Sequence, residues 1–363
     1  LVHAGGLLAL VRAQLRYHKL SLEREGSSVI SLIPRLLLVL SAASGARAVH
    51  ARAMQIENSL AGVARFIRSD ACCNVALLTG AGVSVAAGIP DFRSPTGMYA
   101  TLPIDKLTAT EREKALVRQE PTSVVEKSMF MKNPFLYLEV RRPFILGTRA
   151  RQWKATTAHR FAELLHRHAK LRRVFTQNID GLDFQTAVPS THIIPVHGSI
   201  GAVACEACGA PEAFEVFCDE VREHIKDVYG VDKSAPAEST PIRCSACSAA
   251  ALKPTTVLFG ASLPEAFFSA VAADLPRLDL LIVAGTSLAV SPANSVAASC
   301  KCPRVIINDE PVGQAIGIQY DEDAPSDVRR RDVFLRGACE DVFRALVDEL
   351  GWQDELRDLE LPT

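Results

Sequence analysis

Four cysteines fall in two pairs, Cys205-x2-Cys208 and Cys244-x2-Cys247, with 35 residues between the pairs. Thiolates at that spacing suit a tetrahedral Zn²⁺ ion, and a closed shell of four sulfurs leaves no position for water, so the ion would be structural. The other six cysteines, Cys72, Cys73, Cys218, Cys300, Cys302 and Cys339, show no such pairing and read as small, inert side chains. Metal spacing in place of a disulfide framework points to a reducing compartment.

Acid–base and phosphate chemistry is carried by four shorter stretches. His197, in Val196-His197-Gly198, follows an apolar run, where a neutral imidazole can accept a proton near pH 7. It reads equally as a satisfied core or surface histidine, as do His159, His166, His168 and His192. Gln177-Asn178-Ile179-Asp180 supplies amide and carboxylate groups to a crevice, or else turn and cap residues. Gly80-Ala81-Gly82-Val83-Ser84 lets backbone N–H groups approach a pyrophosphate, or is a tight turn, since it holds two of the three glycines of the dinucleotide fingerprint. Gly285-Thr286-Ser287 and Asn308-Asp309-Glu310 also follow apolar runs, and strand C-termini are where open parallel sheets bind ligands.

The elements that must position these residues are legible as short apolar runs alternating with helical patterns. Strands are expected at Val75–Thr79, Arg173–Thr176, His192–Val196, Thr256–Phe259, Leu278–Ala284 and Arg304–Asn308. Helices are expected at Ser59–Arg68, Thr157–Lys170, Pro264–Asp274 and Glu340–Leu350. Continuous β-branched and leucine runs suit strands covered on both faces, hence a doubly wound α/β domain. Two stretches break the rhythm: residues 94–154, a helical insert, and residues 201–253, which carry the paired cysteines. The run Arg329–Arg331 reads as a solvated loop.

The whole chain of 363 residues has 40 basic and 41 acidic side chains, so its balance gives no reason to expect direct nucleic-acid binding. Residues 1–53 hold seven basic side chains against two acidic ones, a charge step that marks a boundary. They read as a transit peptide or as sequence upstream of a start at Met54. A secretory h-region at Leu36–Ala43 would lie too far into the chain, and Leu36–Leu40 is too short for a bilayer. No membrane partner is expected; the compartment would be the mitochondrion for a transit peptide and the cytoplasm or nucleus for a start near Met54. Oligomeric state is not encoded in any pattern here.

Taken in order, Gly80-Ala81-Gly82-Val83-Ser84, Gly88-Ile89-Pro90-Asp91-Phe92-Arg93, Thr176-Gln177-Asn178-Ile179-Asp180-Gly181-Leu182, Val196-His197-Gly198, the two cysteine pairs, Lys253-Pro254, Phe259-Gly260, Gly285-Thr286-Ser287-Leu288 and Asn308 resemble the sirtuin family of NAD-dependent protein deacylases. The resemblance covers about residues 58–352, and Leu350-Gly351-Trp352 is similar to the eukaryotic deacetylases of cytosol and mitochondria. It implies a Rossmann-like domain over residues 54–352, with a small inserted zinc-binding and helical domain, and a tail at 353–363. It implies NAD as co-substrate, structural zinc, and acyl-lysine proteins such as histones or metabolic proteins as partners. The reaction implied moves the acyl group of lysine to ADP-ribose and releases nicotinamide, O-acetyl-ADP-ribose and free lysine.

By the same resemblance His197 is the base, Asn178 and Asp180 organise the nicotinamide end, and Gln177 contacts a ribose. Asp91, Phe92 and Arg93 close over NAD; Gly80, Ala81, Gly82, Ser84, Gly285, Thr286 and Ser287 line the phosphate path, with Asn308, Asp309 and Cys339 at the adenine end. A peptide would lie as an added strand along Val257, Leu258, Phe259, Gly260 and Leu288. The alternatives are mono-ADP-ribosyl transfer or long-chain deacylation in the same cleft, or a zinc-ribbon module that senses NAD without turnover.

Three departures from the family pattern bear on substrate choice. Ala261 follows Phe259-Gly260 where the family carries glutamate, which predicts an altered preference. Phe214–Thr240 lengthens the interval between the cysteine pairs with a helix-like, charged insert, which reads as a solvated excursion or else a partner surface. Arg141 and Phe144 stand where desuccinylating relatives place a Tyr-x-x-Arg pair, which favours acetyl or longer neutral acyl groups.

Overall fold

The computed structural model describes residues 55–89, 99–320 and 329–361; residues 1–53 and the loop positions Asp91, Phe92 and Arg93 lie outside the described residues. The chain opens with β1 (Ile56–Glu57), α1 (Leu60–Arg68) and β2 (Val75–Thr79), followed by α2 (Glu111–Gln119), α3 (Lys127–Lys132) and α4 (Pro134–Arg149). Next come α5 (Thr157–Arg167), β3 (Leu171–Thr176), β4 (Ile193–Pro195), β5 (Val203–Cys205), β6 (Pro211–Glu212), α6 (Phe214–His224) and β7 (Leu252–Pro254). The last third holds α7 (Glu265–Asp274), β8 (Leu280–Ala284), α8 (Ser295–Ser299), β9 (Arg304–Asn308), β10 (Arg329–Arg330), β11 (Asp332–Arg336), α9 (Cys339–Leu350) and α10 (Gln353–Glu360).

Six strands form one parallel sheet in the order β11-β9-β8-β2-β3-β4. All five residues of β2 and of β8 are buried, because helices cover both faces. One face packs on α1, α5, α9 and α10 through residues such as Val63, Phe161, Phe343 and Leu356; the other packs on α7 and α8 through Phe267 and Val296. Helix α1 starts where the Ser59 hydroxyl accepts the Gly62 N–H at 3.0 Å, and α9 stops at Gly351, whose φ of 77° only glycine adopts cheaply. Strand order reverses at β2, which has β8 on one side and β3 on the other, so a crevice opens beyond its C-terminal end.

The two inserts form one body. Phe130 and Tyr137 of the helical stretch share a core with Phe217 and Val221 of α6 and with Cys205, Cys244 and Leu252 around the three-stranded antiparallel sheet β6-β5-β7. At about 1.5–3 kcal/mol for each large apolar side chain removed from water, this shared core binds the helices to the cysteine-bearing hairpins.

Four expectations need correction. Thr256–Phe259 is no strand of the sheet: it makes one isolated parallel bridge, from Phe259 to Glu126, because the backbone beside it belongs to the turn at His197 and to the start of α3. Asp332–Arg336 is a sheet strand that the pattern did not single out, since an edge strand flanked by arginines reads as polar. In the adjoining arginine run, Arg329 and Arg330 pair through their backbones with Glu57 and Ile56, and the Arg331 guanidinium donates to the Cys300 carbonyl. Phe214–Thr240 is docked, not solvated: Phe217, Cys218 and Val221 are buried against α4, Arg142 pairs with Asp232 at 2.6 Å, and the Ser239 hydroxyl donates to Glu139 at 2.6 Å.

Candidate active site

The four cysteine sulfurs converge, each within 4.8 Å of the others. Cys205 and Cys247 stand 3.7 Å apart and Cys208 and Cys244 3.8 Å apart. A tetrahedron with Zn–S bonds of about 2.3 Å has edges of about 3.8 Å, so the donor set fits zinc in both chemistry and size. Each knuckle is the same tight turn: Gly209 N–H returns to the Cys205 carbonyl and Ser248 N–H to the Cys244 carbonyl, both at 2.8 Å, with φ of 76° and 61°.

The second convergence lies beyond the ends of β2, β3 and β8. The turns at Gly80-Ala81-Gly82 and at Gly285 touch: Gly82 N–H donates to the Gly285 carbonyl at 2.9 Å, and a Cβ on Gly82 would sit 2.6 Å from the Gly285 Cα. Glycine is therefore required there by the approach of the two turns, a reason independent of any phosphate. Gln177 donates to the Thr286 hydroxyl at 3.0 Å, which ties the end of β3 to the end of β8. Asn178, 7% exposed, donates its amide to the Gly80 carbonyl at 3.0 Å and to Ser84 Oγ at 3.1 Å, and Ser84 donates to Asp180 at 2.7 Å. Asp180 also accepts the Leu182 N–H at 2.9 Å.

A small cavity opens against this chain of polar groups. Asn178, Asp180 and Ser84 form its polar side, while Ala81, Ile89, Ile179 and Phe144 form its apolar walls. Phe144, named from the sequence only as one of two positions lacking a Tyr-x-x-Arg pair, is thus a wall of the site. Arg141, the other, is 5% exposed within α4.

His197 follows β4, and its Nδ1 lies 2.9 Å from the Gln177 carbonyl oxygen. A carbonyl only accepts, so Nδ1 carries the proton and Nε2 the lone pair. Gly198 follows with φ of 77°, and a Cβ there would fall 2.0 Å from the Thr255 carbonyl oxygen, so the turn after the histidine must be glycine. Val257 N–H in turn donates to the His197 carbonyl at 2.8 Å, placing the extended segment 256–259 beside the imidazole.

Behind Asp180 lies a group that sequence reasoning missed. His159, Asp180 and Asp183 are all buried, with donor atoms within 4.8 Å of one another. Thr156 N–H donates to His159 Nδ1 at 3.2 Å, and the buried Nε2 has no hydrogen-bond partner among the described residues. Burial pushes the Asp183 carboxyl above the ordinary carboxylate range, with Asp180 adding to the rise and His159 opposing it. Asp183 lies three residues past Asp180 in the sequence, but no local spacing connects His159 to either.

The remaining predicted residues are not among those that line this cavity. Ser287 is exposed just past β8, and Asn308 and Asp309 end β9, where Gly337 N–H donates to the Asn308 carbonyl at 3.1 Å. Cys339 is buried at the start of α9 with its thiol toward the Ile307 carbonyl. Phe259 is exposed and Gly260 follows with φ of 87°, while Leu258 is buried in the helical and cysteine-bearing body. Leu288 is also buried, and both of its backbone polar groups are engaged, the N–H by Thr286 Oγ1 at 3.1 Å and the carbonyl by the Asn294 amide at 3.0 Å.

With a parallel sheet, a crevice at its switch point and a four-cysteine insert, this chain belongs to the Sir2 family, whose signature it matches over residues 80–292. Its relatives include the NAD-dependent protein deacetylase sirtuin-2 of Danio rerio, 34% identical over 316 residues, or 84% of this chain and 75% of that protein. The NAD-dependent deacetylase sir2A of Dictyostelium discoideum is 34% identical over 299 residues, 82% of this chain and 52% of that protein. The NAD-dependent protein deacetylase hst2 of Schizosaccharomyces pombe is 33% identical over 300 residues, 82% of this chain and 78% of that protein.

Proposed function

We propose that this chain is an NAD-dependent protein lysine deacetylase. The observation that carries the reading is the meeting of three features at one sheet edge: the Asn178–Ser84–Asp180 chain, an imidazole held with Nε2 as its acceptor, and an extended segment bonded to that histidine's own carbonyl. NAD supplies, when bound, an electrophilic ribose carbon and nicotinamide as the leaving group. Asn178, Ser84 and Asp180 would hold its carboxamide and ribose end, Ile89, Phe144 and Ile179 exclude water from the reacting centre, and His197 takes a proton at Nε2. Gln177 and Thr286, already bonded to each other, stand next along the crevice. Zinc at Cys205, Cys208, Cys244 and Cys247 is structural, since four sulfurs fill its shell.

The acyl group favoured is acetyl or a longer neutral chain, because Arg141 and Phe144 stand where desuccinylating relatives place a Tyr-x-x-Arg pair. Partners are acyl-lysine proteins; histones and metabolic enzymes fit the same backbone-read groove, which reads side chains weakly. Incubation with NAD and an acetyl-lysine peptide, followed by mass spectrometry, tests the reading. Equimolar nicotinamide and deacetylated peptide support it; nicotinamide without deacetylation indicates ADP-ribosyl transfer or another acyl group, and no turnover indicates a sensor.

A further inference from the structure

Lys253 is 3% exposed, and a buried ammonium is tolerated only when its three hydrogens find acceptors. Here all three do: the Pro254 carbonyl at 2.9 Å, the Thr256 carbonyl at 2.7 Å and Glu206 at 3.1 Å. Glu206 lies inside the first cysteine knuckle, and its N–H is fixed to the Ala251 carbonyl at 2.8 Å. Its other carboxylate oxygen faces Lys127 at 3.2 Å, and Lys127 N–H donates to the Phe259 carbonyl at 2.9 Å. The contacts close on themselves, running from Glu206 to Lys253, to Thr256, along the segment to Phe259, and through Lys127 back to Glu206. Tyr137, buried in α4, adds a hydrogen bond between its hydroxyl and that of Thr256, 2.5 Å apart.

We infer that Lys253 is a positioning residue for the acyl-peptide: through Glu206 it fixes the extended segment 256–259 to the cysteine knuckle and so sets the edge along which a substrate peptide adds. The assignment rests on the deacetylase reading for its substrate and on the closed circuit for its mechanism. Nothing in the circuit touches the cavity beside Asn178, so its loss acts on the peptide and not on NAD.

The test compares Lys253→Met, Glu206→Gln and the double variant for zinc content, KM for NAD, KM for an acetyl-lysine peptide, and Kd of the same peptide carrying a fluorophore. Lys253→Met should raise peptide KM and Kd about tenfold, the loss of a hydrogen bond to a charged group, with zinc content and KM for NAD unchanged. Glu206→Gln should show the same split, and the double variant should fall short of the sum because the residues act as a unit. Folded, zinc-loaded variants with wild-type peptide affinity overturn the inference, as does a parallel rise in both KM values. If Lys253→Met does not fold, the milder Glu206→Gln decides by the same criteria. Wild-type protein that binds the peptide without turnover overturns the deacetylase reading and leaves positioning to the Kd series; wild-type protein that does not bind it overturns both.

Discussion

The Nδ1 atom of His197 stands 2.9 Å from the carbonyl oxygen of Gln177, one residue before Asn178. A single backbone carbonyl thus sets the tautomer of the His197 imidazole, next in the chain to the amide that holds Ser84. His197→Ala should lower kcat about 10²- to 10⁴-fold while NAD still binds, because the base acts on the reacting groups and does not line the cavity. Steady-state rates beside an NAD titration check this; wild-type turnover would remove the imidazole from the reaction.

Ser84, 1% exposed, joins Asn178 to Asp180. Ser84→Ala strips both of a buried partner at a cost of about 1–3 kcal/mol. The expected result is a fall in kcat/KM for NAD of about tenfold to a hundredfold, with peptide affinity retained. An unchanged NAD profile would mean that the two side chains hold their positions without the hydroxyl.

Cys205 and Cys244 lie in the core that also contains Tyr137 and Phe217. Removing the metal with a chelator, or replacing Cys244 by serine, should therefore loosen α4 and α6 as well as the knuckles. Hydrogen exchange across residues 127–149 and 203–254 reads this directly. Loss of protection confined to the knuckles would show that the core stands without its metal clip.

The Lys132 ammonium, 2.9 Å from Glu113, holds that carboxyl down to about 2 from an ordinary value of 4.5, helped by the Thr110 cap and Asn133. Because the folded value is depressed, the stability it contributes is present above pH 4.5 and is lost as pH falls toward about 2. Glu113→Gln should flatten that part of the acid limb in a plot of melting temperature against pH. An acid limb identical to wild type would place the sensitivity in other carboxylates.

The sheet strands other than β11, the helices α1, α5, α7 and α9 and the paired cysteines were legible in the sequence because each rests on local periodicity or short spacing. Burial on both faces makes β2, β8 and β9 nearly continuous apolar runs, and two Cys-x2-Cys knuckles announce a tetrahedral site wherever they fold. Tertiary structure alone decided what crosses the chain. His159 joins Asp180 and Asp183, Phe144 walls the cavity, Phe214–Thr240 docks on α4, and Glu206 meets Lys253. Thr256–Phe259 has the composition of a strand, yet its backbone hydrogen bonds go to His197 after β4, to Val125 and to Lys127 at the start of α3. Composition reports whether a residue prefers to be buried; which distant group satisfies it once buried is settled only when the layers close, because partners far apart in sequence leave no period to read.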